Sequence, residues 1–171
     1  REVDLAIVYP AIDDPEISTH IIHKDEIVLA VPSAHPLAGA EDIAAAELKN
    51  YNISMLTRSH PFRRNCDELL KKQKVEVWGS EYEYGDYVRR LEEGRYGRDF
   101  LGLTTEGNFE KWYGNGYVKK SIRGVKLEQV TGVSWLLESD IRYRYQELIH
   151  LIEKEYRSVY DTSRQKLILL E

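Results

Sequence analysis

The chain has 171 residues, which is enough to bury a core as one domain or as two small lobes. Its residues are 42% apolar and 31% charged, without the roughly 18-residue apolar run of a membrane span, which predicts a soluble globular protein with no membrane contact. A net charge of -5 argues against a surface that grips nucleic acid, and a single cysteine excludes an intrachain disulfide framework and a multi-cysteine zinc site.

The predicted elements alternate between strands and helices, which is the signature of an α/β fold. The chain leads directly into an almost continuous apolar strand at 3–8, typical of a strand covered on both faces. The absence of a recognisable signal peptide before it favours the cytoplasm. Further strands are predicted at 17–22, 27–31, 51–56, 75–78, 100–104, 117–122 and 127–137, and helices at 42–48, 61–73, 84–93, 109–113 and 141–156.

The order of these elements predicts two lobes. The chain leaves its first strand, builds several β/α units, and returns through a long β segment into a closing helix with a broad apolar stripe. We therefore expect a second lobe at 31–124 that is inserted into a first lobe made of 1–30 and 125–171, with the chain crossing near 17–27 and 125–133.

Two sequence motifs occur in a fixed order near the start. A DLAI strand at 4–7 is followed by a VPSAHPLA segment at 31–38. This pair resembles the C-terminal effector-binding domain of LysR-type transcriptional regulators. The resemblance implies a fold like that of type 2 periplasmic binding proteins, with two α/β lobes and a small-molecule cleft between them.

The resemblance also has implications for the parts and partners of the protein. In that family a winged helix-turn-helix, a linker helix and a leading βαβ portion precede the DLAI strand. We therefore expect a complete second lobe, an incomplete first lobe, and DNA binding only through a separate helix-turn-helix domain absent from this chain. Family members also form dimers through their effector domains. An apolar tail at 167–170 and exposed sheet edges likewise predict a homo-oligomer.

Three loops that precede predicted helices carry hydroxyl groups, at 57–60, 79–81 and 104–107. Helix N-termini at the carboxyl ends of strands offer N–H donors to a small anion, so these loops predict an anion site. Such hydroxyls are more often simple helix caps, and Ser80 with Glu83 has the spacing of a capping box.

The family resemblance implies which residues contact the effector. It places Thr57, Arg58 and Ser59 after the first strand of the second lobe. A second position follows a glycine-containing element that here lacks the usual proline. The residues implied at this second position and at the hinge strands are Thr104, Thr105, Tyr9 and Trp135. The two aromatic residues could equally belong to a core.

Other residues suggest weaker sites. His20 and His23 are three apart in a strand, so we expect them to face opposite sides and to share no metal. Arg63 and Arg64 could lower the pKa of Cys66, although the absence of a resolving cysteine disfavours a redox role. No nucleophile, base and orienting group occur in a recognisable order.

Three classes of function remain open on this reasoning. The first is the sensory domain of a LysR-type regulator that binds a small anionic metabolite, without a metal or cofactor, to control transcription. The second is a solute-binding protein of a transport system, and the third is an enzyme on a two-lobed scaffold. Loops dominated by hydroxyls and one arginine favour binding over turnover, so the first is our prediction.

Overall fold

The computed structural model describes residues 3–92, 101–113, 116–138 and 141–168. The chain forms two compact units. Unit 1 contains residues 1–25 and 129–171, and unit 2 contains residues 26–128. The sequence-based boundaries of the two lobes are at 30/31 and 124/125, and the boundaries of the compact units are at 25/26 and 128/129.

Strands and helices alternate along most of the chain. The strands are β1 (Ala6–Val8), β2 (Ile17–Pro32), β3 (Ile53–Leu56), β4 (Glu81–Tyr82), β5 (Leu101–Thr105), β6 (Tyr117–Lys120) and β7 (Glu128–Leu136). The helices are α1 (Pro61–Lys72), α2 (Tyr84–Glu92), α3 (Glu106–Trp112), α4 (Ile141–Arg144) and α5 (Gln146–Ile168), with short 3-10 helices at Pro36–Gly39 and Ala45–Asn50.

Unit 1 is built on three strands and a long helix. Its strands lie in the order β1, β7, β2, and β1 pairs antiparallel with β7, Ile7 opposite Val133. Its core contains Ile22, Val133, Trp135 and Ile149, which join β2, β7 and α5. The apolar stripe predicted for the closing helix therefore packs against strands of the sheet, as expected.

Unit 2 is a mixed sheet with helices. The second half of β2 pairs antiparallel with both β5 and β6. Strands β5, β3 and β4 follow side by side and are parallel to one another. The core is formed by aliphatic side chains from the strands and from α1, including Leu29, Ile53, Leu70 and Leu101. This parallel group positions the loops that the sequence singles out.

Several predicted elements differ from the structure. The two segments predicted at 17–22 and 27–31 are one strand, β2, which runs without interruption through the polar residues at 24–26. The strand predicted at 75–78 is wrong, because there Trp78 makes only an isolated bridge to Asn52. Strand β1 is not covered on both faces, because the side chain of Ile7 is 57% exposed.

The closing helix differs in length from its prediction. It is divided into α4 and α5 at Tyr145, and α5 continues twelve residues beyond the predicted end at 156. The last two residues of the apolar tail, 169 and 170, lie outside the described residues, as do residues 93–100 of the glycine-containing element. Of the helices in the described ranges, none combines the length and the apolar composition that crossing a membrane requires.

Candidate functional site

The carboxyl ends of β3, β4 and β5 meet at one edge of unit 2. Leu56 at the end of β3 pairs with Tyr82 at the end of β4, and Ser54 pairs with Gly102 in β5. Parallel strands with this register bring their following loops together. We call this region the strand-end edge; among the predicted effector residues it contains Thr57, Arg58, Ser59, Thr104 and Thr105.

The β3–α1 loop is ordered by its own side chains. The hydroxyls of Thr57 and Ser59 are hydrogen-bonded to each other at 2.9 Å. His60 caps α1, because its Nδ1 accepts a hydrogen bond from the backbone N–H of Phe62 at 3.2 Å. Burial, helped by the charge of Arg64, lowers the pKa of His60, so the ring stays neutral and can act as this acceptor.

Arg58 extends from this loop into solvent. Its side chain is 77% exposed, and its Nε lies 3.5 Å from Oε1 of Glu81. The same carboxylate oxygen lies 3.2 Å from Nη1 of Arg63. Glu81 is therefore paired with the exposed guanidinium of Arg58 and with the buried guanidinium of Arg63. If Arg58 moves away, the Glu81 carboxylate keeps Arg63 as its partner.

Arg63 holds the end of β3 in place. Its side chain is only 6% exposed. Its Nη1 donates to the carbonyl oxygen of Leu56 at 3.0 Å, and its Nε donates to Oδ1 of Asp67 at 2.8 Å. Neither Arg63 nor Glu81 is among the predicted effector residues. The four-residue spacing of Arg63 and Asp67 on a helix was the available signal, but it does not reveal the contact with β3.

The hydroxyls at the end of β5 have structural partners. Thr105 is buried, and its Oγ1 accepts from the backbone N–H of Asn108 at 3.3 Å, so that it caps α3. Thr104 precedes it in β5 and is also buried. For these two residues the structure shows the capping and packing roles that were the alternative to effector contact.

A buried tyrosine pair lies behind β5. The hydroxyls of Tyr87 and Tyr113 are 2.5 Å apart, and burial raises the pKa of both phenols, which stay protonated. A Cβ on Gly102 would lie 2.5 Å from the Tyr87 oxygen and 2.8 Å from that of Tyr113. The pair therefore requires glycine at this position of β5.

The capping box predicted for Ser80 and Glu83 is wrong. Helix α2 begins at Tyr84, too far from Ser80 for it to be the N-cap. Ser80 is bonded to Asn52 instead, with its backbone N–H donating to Oδ1 at 2.8 Å and its Oγ accepting from Nδ2 at 3.0 Å. Asn52, which is 28 positions away in the sequence, therefore bonds the groups of Ser80 that a helix cap would use.

The two predicted hinge residues lie in unit 1. Trp135 is buried in the core with Ile22, Val133 and Ile149. Tyr9 is 41% exposed and does not belong to that core. Trp135 is therefore a core aromatic, which was the alternative to effector contact, whereas Tyr9 is not.

The structure also shows the surroundings of the weaker candidates, Cys66, His20 and His23. Burial raises the pKa of the Cys66 thiol to about 12, so the prediction that neighbouring arginines lower it is wrong: loss of hydration outweighs the charge of Arg63. His20 contacts Glu153, and His23 lies against the ring of Tyr156 at a centroid distance of 5.6 Å. Both histidines therefore contact α5, although they are three apart in a strand.

Comparison with known proteins identifies the class to which this fold belongs. A family model described as the LysR substrate binding domain matches residues 1–87, about half of the chain. The chain belongs to this family. Its members are the effector-binding domains of LysR-type transcription regulators, which are not enzymes. No curated protein matches the sequence.

Solved structures show the same fold. The Corynebacterium glutamicum OxyR C206 mutant is 11% identical, with a TM-score of 0.74 over 96% of this chain and 51% of that chain. The Synechocystis PCC6803 CcmR regulatory domain in complex with 2-PG is 16% identical, with a TM-score of 0.67 over 90% of this chain and 74% of that chain. The effector-binding domain of QuiR in complex with shikimate is 18% identical, with a TM-score of 0.64 over 89% of this chain and 72% of that chain.

These similarities confirm the α/β, periplasmic-binding-protein-like class predicted from the sequence. The chain spans about half the length of the C. glutamicum protein. Together with the family match, the fold confirms the resemblance carried by the DLAI and HPLA motifs.

Proposed function

We propose that this chain is the effector-sensing part of a LysR-type transcriptional regulator and that it binds a small anionic metabolite at the strand-end edge of unit 2. The observation that carries the proposal is the meeting of three parallel strand ends at which Arg58 and the hydroxyls of Thr57 and Ser59 lie next to each other. Charge-assisted hydrogen bonds from a guanidinium and two hydroxyls suit a carboxylate or a phosphate.

The charges at this edge support anion binding by exchange. Arg58 and Glu81 form an exposed ion pair at 3.5 Å, and such a pair is worth about 0–1 kcal/mol. An effector carboxylate can replace Glu81 as the partner of Arg58 at that small cost. Arg63 stays at 3.2 Å from Glu81 and keeps the released carboxylate in an ion pair.

Two structurally similar domains carry small molecules, 2-PG in CcmR and shikimate in QuiR. Shikimate is a carboxylate, the chemistry that Arg58 would recognise. Within the proposal, Thr105 shapes the edge by capping α3, next to the buried Thr104.

Small carboxylates are expected to stabilise the folded chain, and uncharged analogues are not. A ligand at a hundred times its dissociation constant adds about 2.7 kcal/mol, which raises the melting temperature by roughly 5–10 °C for a protein of this size. A thermal-shift panel that pairs carboxylates such as shikimate with their methyl esters measures this difference.

The matched variants are Arg58→Ala and Arg123→Ala. Both arginines are exposed and pair with one acidic residue, but Arg123 pairs with Asp42. We expect R58A to lose the carboxylate response and R123A to keep it. Equal stabilisation by the esters, or a full response in R58A, would contradict the anion site.

We further propose that the chain self-associates through unit 1 and that a separate helix-turn-helix domain binds DNA in the cytoplasm. Several large apolar side chains of unit 1 are exposed, from its strands, the segment after β7 and α5: Ile7, Ile21, Leu136, Leu137, Leu148 and Leu151. A second copy of the chain would remove this surface from water. The net charge of -5 supports placing the DNA contacts elsewhere.

Replacing Leu151 with glutamate is expected to shift the chain towards monomer. Leu151 is 52% exposed on α5, so the change is tolerated by the fold and penalises only an apolar contact between copies. Sedimentation over a range of concentrations measures the distribution, and Trp78→Glu in unit 2 serves as the control. A wild-type chain that is monomeric at every concentration would refute the proposal.

A further inference from the structure

Three side chains with metal-binding atoms lie together in unit 1. They are His20 on β2 and His150 and Glu153 on α5, and their ligand atoms all lie within 4.8 Å of one another. Nε2 of His20 is 2.8 Å from Oε2 of Glu153, and Nδ1 of His150 is 4.0 Å from the same oxygen. The two imidazole rings meet edge to face, with centroids 6.0 Å apart.

The fold brings these groups together by packing β2 against α5. His150 and Glu153 are three residues apart on a helix and therefore share a face. His20 lies 133 positions before Glu153, and its place is set by its neighbour Ile22, which is buried with Ile149 in the core of the unit. A buried contact on each element thus fixes the spacing of the three groups.

The carboxylate of Glu153 is oriented by a contact with Arg157. Nη2 of Arg157 donates to Oε1 at 2.7 Å. This contact orients the carboxylate and leaves Oε2 directed at the two histidines, the arrangement by which outer-shell partners support metal ligands.

We propose that His20, His150 and Glu153 form a binding site for a divalent transition-metal ion of the zinc class. Zinc lies about 2.0–2.2 Å from nitrogen and oxygen ligands, so the ligand atoms of a tetrahedral site are roughly 3.3–3.5 Å apart. The observed separations of 2.8 Å and 4.0 Å lie on either side of that value. The side chain of His150 is 61% exposed and is free to make the small rotation required.

The ligand chemistry selects the kind of metal. Two imidazoles and one carboxylate suit zinc, nickel or copper, whereas magnesium and calcium prefer sets of oxygen ligands. Three protein ligands leave a fourth position for water. A metal in this site would join β2 to α5 and would stabilise unit 1 in proportion to its occupancy.

Calorimetric titration of the untagged chain with ZnCl2 tests the site. We expect one Zn2+ per chain, no comparable binding of MgCl2, and a rise in melting temperature with Zn2+. His150→Gln removes an exposed ligand without disturbing the core and is expected to weaken Zn2+ binding by at least about tenfold, the size of effect seen even for outer-shell partners. Glu155→Gln, a glutamine substitution at another exposed residue of the same helix, should bind Zn2+ as the wild type does.

The imidazole resonances give a second reading that a purely structural role would not move. Zn2+ should shift the signals of His20 and His150 and leave those of His35 and His60, which cap helices in unit 2, in place. If the wild-type chain shows no saturable Zn2+ binding, or if H150Q binds Zn2+ as tightly as the wild type, the proposal is wrong and the His20–Glu153 contact is a hydrogen bond that only supports the fold.

Discussion

Replacing Gly79 with alanine is expected to destabilise unit 2 by about 3 kcal/mol or more. A Cβ at this position would lie 1.7 Å from the carbonyl oxygen of Ile53 and 2.5 Å from its carbonyl carbon. Both are backbone atoms of β3, whose Ile53 N–H is bonded to the Trp78 oxygen at 3.0 Å. The clash can be relieved only if the segment around Gly79 moves away from β3. Urea denaturation followed by circular dichroism measures the loss of stability.

Gly85→Ala is the matched control for this prediction. Gly85 lies in α2, and a Cβ there would meet nothing within 4 Å. Alanine also has the higher helix propensity, so G85A should gain about 0.5–1 kcal/mol. A G79A protein that unfolds at the same urea concentration as the wild type would show that the segment after Trp78 can move away from β3 at little cost.

Replacing Arg63 with methionine is expected to cost about 2–3 kcal/mol of stability. The substitution keeps most of the side-chain volume but leaves the Leu56 carbonyl without its buried donor. Asp67 also loses this partner, and Glu81 loses one of its two arginines. Each carboxylate is more than a third exposed and regains water, so the loss stays below that of a fully buried pair. Chemical denaturation of the purified variant measures it.

Arg64→Met separates this effect from a general loss of charge. Arg64 is the neighbouring arginine on α1, is exposed, and donates to the carbonyl oxygen of Ser59 at 2.5 Å. Its removal should change stability by about 0.5 kcal/mol or less, as for most surface positions. Similar losses in R63M and R64M would mean that the buried contacts of Arg63 do not hold the end of β3.

The class of the protein and much of its local structure followed from short stretches of sequence. The DLAI and HPLA motifs identified the family that the match over residues 1–87 confirms. Helix α1 begins at Pro61 as predicted, because proline suits the first turn and needs no partner for a missing N–H. The order of strands and helices predicted an α/β fold because local periodicity reports which face of each element is buried.

The errors in the prediction of elements have one cause. Residues 24–26 are polar, yet β2 passes through them and has β7 and β5 as its neighbours in the strand order. Residues 75–78 have the composition of a strand but do not form one. The composition of a segment indicates whether it can form a strand. Whether the segment does form one depends on a neighbouring strand with which it can pair.

The candidate site was predictable only as a set of loops. The sequence by itself determined which residues follow the strands, among them Thr57, Arg58 and Ser59. Only the tertiary structure decided that the β3, β4 and β5 ends share an edge, that Arg63 and Arg58 share Glu81, and that His20 meets Glu153 across 133 positions. It also decided that Cys66 is buried, and this burial raises the pKa of its thiol despite the neighbouring arginines. Helices and turns arise from contacts within a few residues, whereas ion pairs and buried groups depend on which distant segments pack together.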